Sequence, residues 1–163
     1  MRIHSFAPIV GREPRVLILG SMPSAASLAL GRYYGNERNH FWRLMSAVLD
    51  EPERADYAER TATLERRRVA LWDAVCSCVR PGSLDADIRD EAPNDVNGLI
   101  TASPTIRAVF FNGKAAERLY FKYNESLPGL SYFPLPSSSP VPRRDVRTFE
   151  DRLARWMELR RFL

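Results

Sequence analysis

Polar and aromatic side chains that could bind a flat heterocycle follow the apolar runs of this sequence. The turn Gly20-Ser21-Met22-Pro23-Ser24, the carboxylate of Asp73 and the amide of Asn112 each come directly after such a run. Tyrosines and further amides lie within 33–39, and a Ser-Pro segment covers 136–142. A ring to stack on, amides and a carboxylate to read an edge, and a rigid loop to grip a backbone suit a base extruded from a nucleic acid.

Other chemistries lack their residues. The turn at 20–24 is followed by neither Gly-x-x-x-x-Gly-Lys-Ser/Thr nor Gly-x-Gly-x-x-Gly, which argues against a nucleoside triphosphate or NAD. Ser21 and Ser24 are not in a Gly-x-Ser-x-Gly elbow, which argues against acyl transfer. The sequence also has neither the phosphate loop nor the metal-binding carboxylates that phosphoryl transfer requires. Cys76 and Cys78 are too few for a zinc or iron–sulfur site, so we expect no metal and no cofactor, and interpret both cysteines as buried apolar fillers.

The elements that must position these side chains alternate between strands and helices. The run 16–19 is apolar without alternation, which favours a strand covered on both faces. We predict strands near 15–20, 69–72 (running into Asp73), 106–111 and 132–135, and helices from 39 or 40, at 53–67, 95–102 (capped by Asn94), 114–122 and 145–161. This order predicts an α/β fold, a three-layer α/β/α single domain over 1–163 with a four-stranded parallel sheet. The loops 20–42, 73–85 and 136–143 then converge at the carboxyl edge of the sheet.

The basic residues are almost all arginine. Of 24 lysines and arginines only Lys114 and Lys122 are lysines, and the net charge is +4. Arginine suits phosphate and base contacts, although drift from lysine in a GC-rich genome explains the bias equally well. Seven arginines lie between 143 and 161, where they could face a phosphate backbone or form a solvated helix face. The sequence has no apolar stretch of membrane-spanning length and no apolar signal core after Met1, so we expect a cytoplasmic protein without membrane contact.

Four segments in order carry a family resemblance. They are "LILGSMPSAASL", "YYGNERNHFW", "ALWDAVCSCVRPGSLDADI" and "LPSSSP", between about His4 and Pro142. Together they resemble the uracil-DNA glycosylase superfamily, and most closely its hypoxanthine-DNA (DNA-deoxyinosine) glycosylase branch. The resemblance implies a monofunctional DNA N-glycosylase of uracil-DNA glycosylase-like fold. Such an enzyme flips a deaminated base from DNA, hydrolyses its N-glycosidic bond and leaves an abasic site for base excision repair. Its partner would be DNA containing deoxyinosine or deoxyuridine, and we expect a monomer.

The resemblance also implies a catalytic residue. Superfamily members usually carry Asp or Asn as the third residue of the first motif, where this chain has Met22, which cannot orient water. Hypoxanthine glycosylases resemble this arrangement and use the Asn of Asn-x-Phe-Trp, here Asn39. The alternative for Asn39 is N-capping of the following helix. Phe41 and Trp42 are expected in the core.

The remaining site residues follow from the same resemblance. Gly20, Ser21 and Met22 would bind the base through the first-motif turn. Tyr34 would stack on it, or anchor its loop instead. Asp73 would accept a hydrogen bond from the N1–H edge of hypoxanthine, or cap the segment 80–85. Asn112 before Gly113 suggests turn chemistry. The DNA-binding residues are in the last loop: Ser137, Ser138, Ser139, Pro140, Val141 and Arg143. Val141 or Arg143 would fill the emptied base stack.

Two other functions stay open at this point. One is a general or mismatch-specific uracil-DNA glycosylase. The other is a non-catalytic nucleic-acid-binding α/β module, which Met22 in place of the usual polar residue favours. Release of free base from DNA would separate an enzyme from a binding module.

Overall fold

Seven strands and six α-helices make up the chain in the computed structural model, which describes residues 1–163. The strands are β1 (Arg2–His4), β2 (Val16–Gly20), β3 (Val69–Asp73), β4 (Val75–Val79), β5 (Arg89–Pro93), β6 (Ala108–Asn112) and β7 (Ser131–Leu135). The helices are α1 (Ala25–Leu30), α2 (Phe41–Leu49), α3 (Tyr57–Arg66), α4 (Val96–Ala102), α5 (Lys114–Tyr123) and α6 (Phe149–Trp156). Short 3₁₀ turns cover Asp85–Asp87 and Met157–Phe162.

The predicted parallel sheet is present, in the strand order β3-β2-β6-β7. Strand β2 lies at its centre and every residue of it is buried, as its unbroken apolar run predicts. Val16 and Ile18 face a core with α2 and α6, whereas Leu17 and Leu19 face a core with α4 and α5. Helices therefore cover both faces of the sheet, and the predicted three-layer α/β fold is confirmed.

A second, antiparallel sheet in the order β1-β4-β5 was not predicted. Strand β4 lies inside the segment 73–85, which we predicted to be a loop. The pairing of β4 with β5 shifts register twice, so the local alternation that marks a strand is interrupted. The exposure of the two cysteines also corrects one prediction, that both are buried apolar fillers. Cys78 is buried in the core, but Cys76 is exposed and fills no apolar space.

Side-chain caps set where several helices begin, and some caps and starts differ from the prediction. Asp95, not Asn94, caps α4, and its carboxylate accepts from the Gly98 N–H at 3.0 Å. Asn94 instead donates its side-chain amide to the Asp73 carbonyl at 2.8 Å. Helix α6 begins only after Thr148, which forms a capping box with Asp151. None of the helices has the length and apolar character that crossing a membrane requires.

Candidate active site

A cleft of about 410 Å³ opens at the carboxyl edge of the parallel sheet. Its walls are the turn after β2, the segment before α2, the end of β3 with the segment 83–85, and the loop after β7. The cleft brings together every predicted site residue: Gly20, Ser21, Met22, Tyr34, Asn39, Asp73, Ser137, Ser138, Ser139, Pro140, Val141 and Arg143. Loops after parallel strands meet at one edge, which explains how residues so distant in sequence share one cleft.

Gly20 allows two functional groups to approach one another. It pairs in register with Asp73 on the neighbouring strand. A Cβ at this position would lie 2.5 Å from Asp73 Oδ1 and 2.9 Å from the Tyr34 hydroxyl oxygen. Any side chain larger than hydrogen would therefore push the carboxylate and the phenol out of place.

Asp73 is buried, with 3% of its surface exposed, and its Oδ2 has no hydrogen-bond partner in the protein. Burial, with a smaller contribution from the nearby Asp85 carboxylate, raises the pKa of this carboxyl to about 7 against the opposing effect of the Arg80 guanidinium. No donor in the segment 80–85 bonds the carboxylate, so the predicted alternative, a loop cap, lacks its hydrogen bond. A buried acceptor without a partner costs about 1–3 kcal/mol, which a ligand N–H would offset.

Tyr34 lies between a buried ring and the open cleft. Its ring stacks on Phe41 with centroids 4.0 Å apart and planes 19° apart, so one face is covered by the core. Its hydroxyl oxygen accepts from Asn112 Nδ2 at 2.9 Å. Its backbone has a φ of 52°, an uncommon conformation for a tyrosine that the surrounding contacts hold in place. The other ring face is the one that a base could stack on.

Asn112 has a role that sequence reasoning missed. Its side chain does not bond the local turn. Instead Nδ2 donates to both Tyr34 and Ser138 Oγ at 2.9 Å, and Oδ1 accepts from the Ser138 N–H at 2.8 Å. One carboxamide therefore fixes the tyrosine and the last loop relative to each other. Its position at the end of β6 was the only available sequence signal.

The first-motif turn presents backbone donors to the cleft. The N–H groups of Ser21 and Met22 donate to no acceptor of the protein. The Met22 side chain is 7% exposed and packs in the core, so this residue can offer only its backbone to a ligand. Two free amides beside a buried carboxylate form a mixed donor and acceptor surface.

Asn39 lies one residue before the N-cap of α2, which is His40. Its Oδ1 accepts from the Phe41 N–H at 2.9 Å, so part of the capping alternative is realised. Its Nδ2 makes no hydrogen bond within the protein, and the residue lines the cleft. The geometry is compatible with both the capping and the water-positioning interpretation.

The three serines of the last loop are not equivalent. Ser138 is 1% exposed, and its carbonyl accepts from the His40 N–H at 2.9 Å in addition to its bonds with Asn112. These bonds anchor the loop through Ser138, whose O–H donates to no acceptor of the protein, and its role in DNA binding stays a prediction. Ser137 and Ser139 are half-buried, and Pro140, Val141 and Arg143 are exposed.

The C-terminal arginines also divide into two groups. Arg152 is buried and donates Nε to the Ser137 carbonyl at 2.7 Å, and Arg160 donates to the Val48 carbonyl at 2.7 Å near the end of α2. Arg152 supports the loop from inside the protein, whereas Arg160 is exposed and binds the C-terminal end of α2. Arg143, which lines the cleft, is exposed, as are Arg144 and Arg147.

The segment 80–85 is tied to the first-motif turn. Arg80 is buried and donates Nε to the Gly82 carbonyl at 2.7 Å and a second nitrogen to the Pro23 carbonyl. Ser21 Oγ donates to Asp85 at 2.7 Å, and Ser83 Oγ accepts from the Ala25 N–H at 2.9 Å. The sequence placed this segment at the cleft but gave no sign that a buried arginine fixes it.

Known proteins are similar to this chain over most of its length. A family model described as "Uracil DNA glycosylase superfamily" matches residues 8–160. A relative from Methanosarcina acetivorans, described as "Hypoxanthine DNA glycosylase", is 38% identical over 144 residues, covering 86% of this chain and 89% of the relative. A second relative of the same description, from Methanosarcina barkeri, is 32% identical over 161 residues, covering 97% of this chain and 98% of the relative.

A solved structure is also similar. It is a solution NMR structure from Methanosarcina acetivorans, described as a candidate uracil DNA glycosylase. Its TM-score is 0.80 at 34% sequence identity, and the match covers 98% of this chain and 96% of that chain.

Proposed function

The chain belongs to the uracil DNA glycosylase superfamily, and from this premise we propose that it is a DNA-deoxyinosine (hypoxanthine-DNA) glycosylase. It extrudes the deaminated base from DNA, hydrolyses the N-glycosidic bond and leaves an abasic site. Two relatives described as hypoxanthine DNA glycosylases support this substrate. The description of the solved neighbour supports uracil as the second candidate.

The observation that carries the proposal is the buried, unpartnered oxygen of Asp73 in a cleft that also contains Tyr34 and two free backbone amides. A flipped hypoxanthine offers matching groups: an N1–H donor, a C6 carbonyl acceptor and a flat ring. The carboxylate accepts from the N–H, the amides donate to acceptors of the base, and the ring stacks on the open face of Tyr34.

Bond cleavage follows from the same contacts. As the N-glycosidic bond lengthens, the sugar becomes oxocarbenium-like and the base gains negative charge. The N–H groups of Ser21 and Met22 are fixed by the turn and stabilise that charge, at roughly 10²–10³ in rate for each preorganised donor. Their effect is larger in the transition state than in the ground state, because only there is the base charged.

Asn39 orients the attacking water. Its Oδ1 keeps a second lone pair besides the one used by the Phe41 N–H, and its Nδ2 is unbonded, so a water could be held by either atom. An amide is too weak a base to take a proton at neutral pH, and its contribution is therefore positioning. Met22 cannot substitute, since its side chain lies in the core.

The enzyme is monofunctional. Cleaving the strand after base removal through an imine requires an amine nucleophile, and neither Lys114 nor Lys122, the only lysines, lines the cleft. Water is then the acceptor of the sugar, and the product is an intact strand with an abasic site.

A groove beside the cleft could bind the DNA backbone. This groove, of about 820 Å³, shares Tyr34, Asn39 and Pro140 with the cleft. Its lining includes five arginines against two glutamates: Arg32, Arg38, Arg43, Arg54 and Arg60, with Glu37 and Glu53. Guanidinium groups bind phosphates bidentately, and we assign this groove to the strand flanking the flipped nucleotide.

The test is release of free base from inosine-containing and uracil-containing DNA in buffer with a chelator. We expect hypoxanthine release, with the DNA strand intact until alkali cleaves the abasic site. Faster release of uracil than of hypoxanthine would favour the second candidate. Tight binding of inosine DNA without release of either base would overturn the enzyme and favour a binding module.

A further inference from the structure

Two large apolar side chains are exposed at the walls of the cleft. Leu84 is 68% exposed and Val141 is 64% exposed, and both line it. Val141 belongs to the loop after β7, whereas Leu84 belongs to a segment that follows β3 and β4. The two residues therefore come from different walls of the cleft: Leu84 from the segment bonded to the turn after β2, and Val141 from the loop after β7.

The backbone around Leu84 is fixed. Ser83 and Asp85, its neighbours on both sides, are bonded to Ala25 and Ser21 of the first-motif region, and the Leu84 carbonyl accepts from the Asp87 N–H at 3.0 Å. The leucine is therefore presented by a preorganised loop, so that little conformational entropy is lost when a partner covers it.

The charges of this segment decide what it can contact. Residues 81–87 contain two carboxylates, Asp85 and Asp87, and no basic residue, and the neighbouring Arg80 is buried. Such a segment repels phosphate rather than binding it. An apolar contact with bases or sugars remains, which is how wedge residues in other DNA-bending proteins act.

We propose that Leu84 is a second DNA wedge: it packs against the bases beside the flipped nucleotide, from a different wall of the cleft than the loop that carries Val141 and Arg143. This inference rests on the proposed function, because it requires that a nucleotide be extruded into the cleft. Covering Leu84 stabilises the extruded state of a duplex, in which a stacked neighbour must separate from the departing base. A single strand has little stacking to break, so it gains little from this contact.

The experiment compares duplex and single-stranded inosine DNA in single-turnover base release. Leu84→Ala should slow release from the duplex by about tenfold, the effect of losing most of the buried apolar area of one leucine, and change the single-stranded rate by less than about twofold. Leu84→Met, which keeps the apolar area, should restore the duplex rate. Phe121→Ala is the control, since Phe121 is 43% exposed and lines neither the cleft nor the arginine-lined groove.

A second readout separates the wedge from the chemistry. With 2-aminopurine placed beside the inosine, wild-type binding should raise the fluorescence as the neighbour unstacks, and Leu84→Ala should lower that rise. An equal loss on duplex and single-stranded DNA would overturn the proposal, because Leu84 would then shape the base pocket. An unchanged duplex rate would also overturn it. If the wild type releases no base at all, the proposed function fails, while the fluorescence comparison still tests Leu84.

Discussion

Replacing Asp73 by Asn should stabilise the protein at alkaline pH, although it removes a residue from the centre of the cleft. The carboxyl is buried, Oδ2 has no partner, and its pKa is raised from 3.8 to about 7, chiefly by burial. Between these two values the folded state binds a proton that the unfolded state has released. Stability therefore falls as the pH rises through this window and is lowest above about pH 7.

The size of the effect follows from the two pKa values. A difference of about three units at 1.36 kcal/mol per unit corresponds to up to about 4 kcal/mol of lost stability when Asp73 is ionised. This is a large share of the 5–15 kcal/mol typical of a domain. Asn has nearly the same shape and no charge, so the variant should avoid the loss. We expect Asp73→Asn to gain about 2–4 kcal/mol relative to wild type between pH 4.5 and pH 8.5.

Urea unfolding at several pH values measures this difference, provided that the m-values of the two proteins agree. Asp151→Asn is a control of opposite sign. The Thr148 and Arg147 N–H groups lower the Asp151 pKa, so that variant should be less stable than wild type at pH 7, with the difference shrinking as the pH falls towards 3. Parallel pH curves for wild type and Asp73→Asn would refute the reasoning, as would a variant that is less stable at high pH, since either result means that the carboxylate is satisfied by the protein.

Three further outcomes are expected. Asn39→Ala should slow single-turnover base release by about 10² or more. The control Asp56→Ala removes the cap of α3, so it should lower the free energy of unfolding by about 1 kcal/mol and leave turnover unchanged. An Asn39→Ala protein with wild-type turnover would remove Asn39 from catalysis. Gly20→Ala should lower both base release and stability, the latter by about 1–3 kcal/mol, because its Cβ would lie 2.5 Å from Asp73 Oδ1; wild-type activity would show that the cleft yields. Asp73→Asn should lower hypoxanthine release and retain uracil release, and should abolish a rise of hypoxanthine release between pH 6 and pH 8; equal loss on both bases would make Asp73 structural.

The parallel sheet could be predicted because its signal is local. The run 16–19 is apolar without alternation, and the strand predicted at 69–72 is observed as Val69–Asp73, one residue longer. Strand β4 could not be predicted, because its small residues and two register shifts give neither alternation nor a continuous apolar run. Its pairing depends on β1 and β5, which lie far from it in sequence.

The sequence predicted residues that the structure brings to one cleft, but it did not predict the environments of their side chains. Asn94 and Asp95 are both residue types that cap helices well. In the structure Asp95 caps α4, because the Asn94 side chain donates to the carbonyl of Asp73 instead. The last loop has three consecutive serines, Ser137 to Ser139, which the sequence does not distinguish. Ser138 is the one that hydrogen-bonds Asn112 at the end of β6 and is buried. Likewise the pKa of Asp73 depends on distant side chains and on burial, neither of which the sequence displays.

The unsatisfied groups of the cleft are themselves an argument about the substrate. The protein keeps one acceptor, the Asp73 carboxylate, and two donors, the Ser21 and Met22 amides, without internal partners. A lactam edge offers the opposite set, an N–H beside a carbonyl, and satisfies both kinds of group. Adenine offers an acceptor at N1, whose lone pair would face the ionised carboxylate and leave it unpaired. A site that hydrogen-bonds one edge rejects the analogue that lacks it far more strongly than an apolar pocket does. We therefore expect the site to select a deaminated purine over its parent, which is the discrimination that repair of deoxyinosine requires.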